Sequence, residues 1–447
     1  MGISSAPPDR KSEVSMYGRL NSFQKTMLQW NDLHPYSAVH VLRIPGALDA
    51  TRLQRGIQAT LAARGLTHLS LDRAKGRYHY ESGPATCEIR KLADAADPQA
   101  VLFAEVERQL NTPFIQTERF SPFRFFVAPA GNSFFLGLAY FHAAADAESV
   151  VLLLRDLMEA YGQGSAPAFS STLDLYPDGR AHLIRHHPKV LARRLLALPK
   201  QIRNLRRSCR TSCLDAAAMA NRFTGFSLDP ETLRSVVATG KSWEVTVNDL
   251  WLALLLKSLA PLAAGRWRAR QRRELSVGCI VNLRRALDVD SRRTFGLFLG
   301  SFTVTHKVPD GIGLQELARD VRQQTAAIKR RKLFLATPLE LGFARLMWLF
   351  FSPERRLRFY AKNFPLWGGI TNLNLNSLWQ AAPEAGPLDY FRAVSTGPVT
   401  PFVLSLTTVR DRANIGLSYR SAVYSPEAVQ GVKGRFLDEL DRLKKFA

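Results

Sequence analysis

His142-Ala-Ala-Ala-Asp146 lies between two apolar runs of different character. Before it comes Phe134-Phe-Leu-Gly-Leu-Ala-Tyr-Phe141, short and continuously apolar, as a strand buried on both faces reads. After it, residues 148–161 carry apolar side chains at helical spacing and stop at Gly162 and Gly164. The five residues therefore span a strand-to-helix junction, where side chains leave a sheet and reach a cleft. A histidine there can act as a general base, because imidazole titrates near neutrality. Asp146 can cap the helix that follows, with Glu148 favoured in its first turn by the helix dipole. On spacing alone the simpler reading is a cap beside a satisfied, half-buried histidine, since short motifs arise often by chance.

Working outward, residues 21–175 alternate helical and extended patterns. Leu53 to Leu61 and Ala100 to Leu110 read as helices, and His68 to Leu71 and Tyr78 to Tyr80 as short strands. Phe123 to Val127 and Phe134 to Phe141 read as a hairpin turning at Pro129-Ala-Gly-Asn132. The second half repeats the mixture. Phe223 to Leu228, Ser276 to Asn282 and Leu299 to Thr305 read as strands, and Leu314 to Lys329 and Pro426 to Leu443 as helices. Thr246 with Asp249 has the spacing of a capping box at the start of another helix. Pro401 to Val409 and Ile415 to Tyr419 read as a second hairpin, turning through Asp411-Arg-Ala-Asn414. Periodicity alone gives an α+β chain in two halves.

Composition narrows the classes. The chain has 447 residues, 46% of them hydrophobic, enough for sizeable cores. Cysteines at 87, 209, 213 and 279 form neither a zinc pattern nor a disulfide framework, so no metal is expected. The first residues have no apolar core of the signal-peptide kind, and no run of about 18 apolar residues stands out as a membrane span. Lys plus Arg number 61 against 38 Asp plus Glu, a formal charge of +23 that points to anionic partners. Nucleic acid is disfavoured, because no recognition motif accompanies the charge.

The charge concentrates in a connector. From Arg180 to Arg210 there are ten Lys or Arg and no Asp or Glu. Leu191, Leu195, Leu198, Ile202 and Leu205 recur on one helical face, with Arg193, Arg194, Arg203, Arg206 and Arg207 around it. Such a stripe suits an anionic bilayer surface or packing on the protein itself. His186 and His187 are adjacent, so they do not face one site.

Other stretches give the central motif a context. These are Leu42-Arg-Ile-Pro-Gly-Ala-Leu-Asp49, Leu110-Asn-Thr-Pro-Phe114, Ser121-Pro-Phe-Arg124, Val245-Thr-Val-Asn-Asp-Leu-Trp251 and Val281-Asn-Leu-Arg-Arg285. In this order, the set resembles the condensation-domain and chloramphenicol-acetyltransferase superfamily of acyltransferases, nearest its wax ester synthase and polyketide-associated branches. Its signature is His-His-x-x-x-Asp-Gly, and here Phe141 replaces the first His and Ala147 the Gly.

The resemblance implies an α/β (α+β) fold of two chloramphenicol-acetyltransferase-like lobes, a pseudo-dimer with a tunnel between them. The expected divisions are a flexible arm at 1–20, an N-terminal lobe at 21–175, a basic connector at 176–220 and a C-terminal lobe at 221–447. It implies transfer of an acyl group from a thioester of coenzyme A or an acyl carrier protein to an alcohol or amine, ester formation favoured. His142 would be the general base, with the oxyanion met by backbone N–H groups at the helix start. Asp146 would be structural, paired with Arg124. Asn248, Asn282, Asn372 and Ser405 lie in segments that can face the tunnel, although cap or turn roles are simpler readings. Phe298, Trp348, Phe350 and Phe351 suit either an acyl channel or the core. No bound cofactor is implied beyond the thioester co-substrate. A cytoplasmic monomer is expected, peripheral at the inner membrane face or partnered by an acidic carrier. The alternative, raised by Phe141 and Ala147, is an inactive relative serving as an assembly partner.

Overall fold

Short polar residues set the helix starts. Asn21, Asp49, Asp97, Asp229 and Thr246 each accept a bond from a first-turn backbone N–H, and Asn21 and Thr246 do so within capping boxes. The computed structural model describes residues 15–83, 88–163, 173–175, 188–189, 192, 196, 207–212, 218–290, 293–379 and 386–444. The first half runs β1 (Ser15–Arg19), α1 (Ser22–Asn31), β2 (Ser37–Pro45), α2 (Ala50–Ala63), β3 (His68–Asp72), β4 (Arg77–Glu81), β5 (Ile89–Lys91), α3 (Pro98–Asn111), β6 (Phe123–Ala130), β7 (Ser133–Phe141) and α4 (Ala147–Gln163). The second half opens with β8 (Asn221–Leu228), α5 (Pro230–Ser242), α6 (Val247–Leu259), β9 (Leu275–Asn282) and β10 (Leu299–His306). It continues through α7 (Leu314–Arg330), α8 (Thr337–Leu349), α9 (Pro353–Asn363), β11 (Gly368–Asn374), β12 (Asp389–Val394), β13 (Phe402–Val409), β14 (Arg412–Arg420) and α10 (Pro426–Lys444).

The strands form two main sheets. The N-terminal lobe holds the order β12-β2-β7-β6-β5, with a small sheet β1-β4-β3 beside it; the C-terminal lobe holds β10-β9-β11-β13-β14-β8. All nine residues of β7 are buried, as its unbroken apolar run requires. Gly137 is obligatory there: a Cβ would lie 2.0 Å from the Phe126 ring on the neighbouring strand. α6 is the central helix of the second lobe, with Leu250 to Leu256 fully buried under the sheet. The stretch Val247–Arg268 is long and apolar enough to cross a membrane, but 67% of its most apolar window is buried within the protein.

Three expectations on organisation change. The arm ends earlier than residue 20, because Ser15–Arg19 pairs antiparallel with β4. The lobes also exchange chain: β12 leaves the C-terminal half and pairs antiparallel with β2 of the first lobe, from Asp389 opposite Arg43 to Val394 opposite Ala38. The free edge of β2 and an apolar cluster of Val39, Leu102, Phe126, Phe223 and Phe391 hold it there. The second hairpin turns at Arg410 and Asp411, with Arg410 at φ 53°, so β14 starts at Arg412. Of the connector arginines, Arg193, Arg194, Arg203 and Arg206 lie outside the described residues; Arg207 is exposed. His186, His187 and the apolar stripe at 191, 195, 198, 202 and 205 also lie outside them.

Candidate active site

β7 delivers His142 to a cavity of about 250 Å³ lined by both lobes. The strand ends in a tight turn. The Ala144 N–H donates to the Phe141 carbonyl at 2.8 Å, the His142 N–H to Tyr36 O at 3.3 Å, and the Asp146 N–H to Gly296 O at 2.9 Å. Phe141 is fully buried against Phe114 and Phe120 and does not line the cavity. Ala147 is the first residue of α4 and has no left-handed backbone, so a glycine is not needed there. Phe141 therefore stays out of the cavity, whereas Ala147 lines it, so the change from glycine falls on the cavity wall.

The His142 ring is held on three sides. Tyr36 stacks on it at 5.5 Å and 11°, and Tyr140 meets it edge-on at 5.7 Å. Nδ1 lies 3.2 Å from the Ala145 carbonyl. A carbonyl only accepts, so Nδ1 carries the proton and Nε2 carries the lone pair. Burial lowers the His142 pKa below the ordinary imidazole value, against the opposing pull of the Ala145 bond and the Asp146 charge. The ring is thus neutral at neutral pH.

Asp146 does not touch that ring. Its carboxylate accepts from both terminal nitrogens of Arg284 at 2.7 and 3.1 Å, from Ser149 N–H at 2.9 Å and from Phe298 N–H at 2.9 Å. Burial alone would raise its pKa; the Arg284 charge and the four bonds outweigh burial and lower it. Arg284 also donates to Ser149 Oγ and Thr294 Oγ1 and lies 4.3 Å from the centre of the Phe298 ring. Asp146 comes from the first lobe and Arg284 from the second, so the pair is an inter-lobe latch. This corrects the expected partner, Arg124. Along β6 the side chains alternate, and Arg124 faces α3 together with its register partner Ala139. There it donates to the carbonyls of Gln109, Thr112 and Pro113 and stacks 3.9 Å over Phe114, where a cation suits a helix C-terminus.

Of the four tunnel candidates, one lines the cavity. Ser405 does, and its hydroxyl is buried without a hydrogen-bond partner. Asn248 donates to Cys279 Sγ at 3.6 Å, so its neighbour, not itself, reaches the cavity. Asn282 is exposed; it donates to Glu148 and accepts from Arg284 N–H, serving the latch. Asn372 is exposed, and Thr371 takes the cavity position on β11. Of the aromatic candidates, Phe298 and Trp348 are buried, Phe351 is half-buried, and Phe350 is exposed. The backbone N–H groups of 144, 146, 149 and 150 already have acceptors, which leaves them unfit for an oxyanion.

Three lining residues have no signal in a motif. His40 on β2 is held at Nδ1 by the Tyr390 hydroxyl, at 2.7 Å, and burial drives its pKa well down. With Nδ1 so engaged and Tyr140 Oη 3.5 Å from Nε2, it is a poorer base than His142. Arg392 sits opposite it on β12, 4% exposed, with no carboxylate partner among the described residues. It donates to Thr407 Oγ1, Thr371 O and Leu406 O, joining β12 to the second lobe; burial lowers its pKa to about 10. The Cys279 thiol is pushed up to about 11 by burial, so it is no nucleophile at neutral pH.

No protein-family model and no curated protein matches the sequence. Solved structures do match in fold. The first condensation domain of the CDA synthetase superposes with a TM-score of 0.66 at 16% identity, covering 96% of each chain. The cyclization-docking bidomain of EpoB from Sorangium cellulosum gives 0.70 at 15% identity, over 96% of this chain and 84% of that one. The epimerization domain from the third module of tyrocidine synthetase B gives 0.64 at 15%, over 97% and 98%. These names cover three different reactions, so the shared architecture does not choose among them. With its paired sheets, its crossing strand and a histidine at the shared cavity, the chain has the condensation-domain fold, two chloramphenicol-acetyltransferase-like lobes.

Proposed function

We propose that the protein transfers an acyl group from a thioester, carried by coenzyme A or by the phosphopantetheine of a carrier protein, to an alcohol or amine, with ester formation favoured. The observation that carries this reading is the His142 tautomer: Nδ1–H is tied to Ala145 O, and the free Nε2 lies on a ring that lines the inter-lobe cavity. As the acceptor oxygen or nitrogen bonds to the thioester carbonyl carbon, Nε2 takes the acceptor proton. As the C–S bond breaks, that proton passes to the departing sulfur. A thiolate leaves readily, so positioning and one base account for much of the rate. The Ser405 hydroxyl, buried without a partner on a residue that lines the cavity, is a side-chain donor for the developing oxyanion. Phe141 packs away from the cavity, and Ala147, which lines it, needs no left-handed backbone; neither change removes the base, which supports an enzyme over an inactive assembly partner.

Free-thiol release from octanoyl-pantetheine with a panel of alcohols and amines tests the reading. His142→Ala should lower turnover by about a hundredfold or more. Near-normal turnover in a folded His142→Ala protein would refute the assignment.

A further inference from the structure

α8 forms a wall with two unlike faces. On the inner side, Glu340, Leu341 and Ala344 line the cavity. On the outer side, Phe343, Leu346, Met347 and Phe350 recur at i, i+3, i+4 and i+7 and are 42%, 54%, 38% and 79% exposed; Leu349 beside them is 57% exposed. Among the described residues, the other exposed large apolar side chains are scattered singly, as is ordinary on a folded surface. Phe343 belongs to both faces, so the outer patch meets the cavity at its rim. A continuous apolar strip of this size marks an interaction surface.

The flanking charge selects the partner. Residues 329–362 contain nine Lys or Arg against two Glu. Lys329, Arg330, Arg331 and Lys332 stand exposed just before the helix, and Arg355 and Lys362 just after it. Arg356 lies 4.9 Å from the Trp348 ring and donates to Leu349 O, placing a cation at the helix end itself. Large apolar side chains on one face with cations around them are the composition of a helix that lies in an anionic headgroup layer.

We propose that α8 and the start of α9 dock the protein on an anionic lipid bilayer, with Phe343 at the point where the cavity opens toward the lipid. An apolar acyl chain or lipid alcohol would then enter without crossing water. That last clause rests on the acyl-transfer reading; the docking does not.

Co-sedimentation of the full chain with phosphatidylcholine vesicles, with and without about 30 mol% phosphatidylglycerol, tests the docking. Binding should require the anionic lipid and weaken with added salt. Leu346→Ser with Phe350→Ser, both exposed and outside the cavity, should weaken binding by about tenfold or more while leaving turnover of a water-soluble short-chain thioester unchanged. Arg330→Glu with Arg331→Glu should do the same through charge. Binding that survives both pairs but is lost on reversing Arg193, Arg194 and Arg206 would overturn the proposal in favour of the connector. Absent vesicle binding alongside capture of an acidic acyl carrier protein would also overturn it.

Discussion

The Nδ1–H of His142 has one acceptor, the Ala145 carbonyl, and that bond fixes which nitrogen can take a proton. Burial then sets when it can. Since the pKa is lowered, the neutral form persists below pH 6.5, the unperturbed value. If His142 is the base, activity should rise with pH through a midpoint below that value and stay flat across neutrality. A pH profile of kcat/KM, taken with a thioester stable over the range, measures it. A midpoint above 7 would mean that some other group is the base. The histidine and its aspartate were readable from sequence because an unbroken apolar strand and a periodic helix bracket them. His40 and Arg392 were not, because each is a polar residue flanked on both sides by apolar ones, with no motif around it, and only strand register shows that they face one cavity.

At the scale of elements, the latch between α4 and the segment after β9 carries the most deeply buried ion pair among the described residues, Asp146 with Arg284, each 1% exposed on its side chain. Breaking a buried pair leaves the partner's charge uncompensated, at about 3–5 kcal/mol. Asp146→Ala and Arg284→Ala should each lower the unfolding free energy measured in urea by that order, and the double change should cost less than the two summed. Arg124→Ala should be additive with Asp146→Ala, because Arg124 caps α3 instead. Additivity of Asp146→Ala with Arg284→Ala would sink the latch. The pH dependence follows the lowered carboxyl pKa: the contribution is present above the unfolded value, near 3.9, and lost as pH falls through the folded one. The Arg284 stretch was visible in the sequence, but its pairing joins positions 138 residues apart, and no local pattern carries such a distance.

At the scale of the whole molecule, two halves that read as separate lobes are tied by more than a connector. Local periodicity located most strands and helices, since caps and hairpin turns are set by nearby residues. It did not show β12, six residues whose place depends on the free edge of β2 and on a cluster drawn from both halves. Among the ties that cross the lobes are β12 on β2, Arg392 on Thr371 and Thr407, and Asp146 on Arg284. With so many shared contacts the lobes should unfold together, giving one calorimetric transition although the chain is long enough for two domains. Gly416 on β14 is the most exacting point of this union. A Cβ there would lie 2.2 Å from the Arg392 carbonyl oxygen and 3.0 Å from the Phe223 ring. Backbone cannot yield as a flexible side chain does, so Gly416→Ala must push β12 outward, at about 1–3 kcal/mol for overpacking. That movement would carry Arg392 off its acceptors and loosen the Tyr390 hold on His40. The variant should therefore melt at lower temperature, with the transition broadened or split, and lose acyl transfer in step with the loss of coupling. Differential scanning calorimetry of wild type and Gly416→Ala decides it: two resolved transitions in the wild type, or an unchanged single one in the variant, would show that the crossing strand does not couple the lobes.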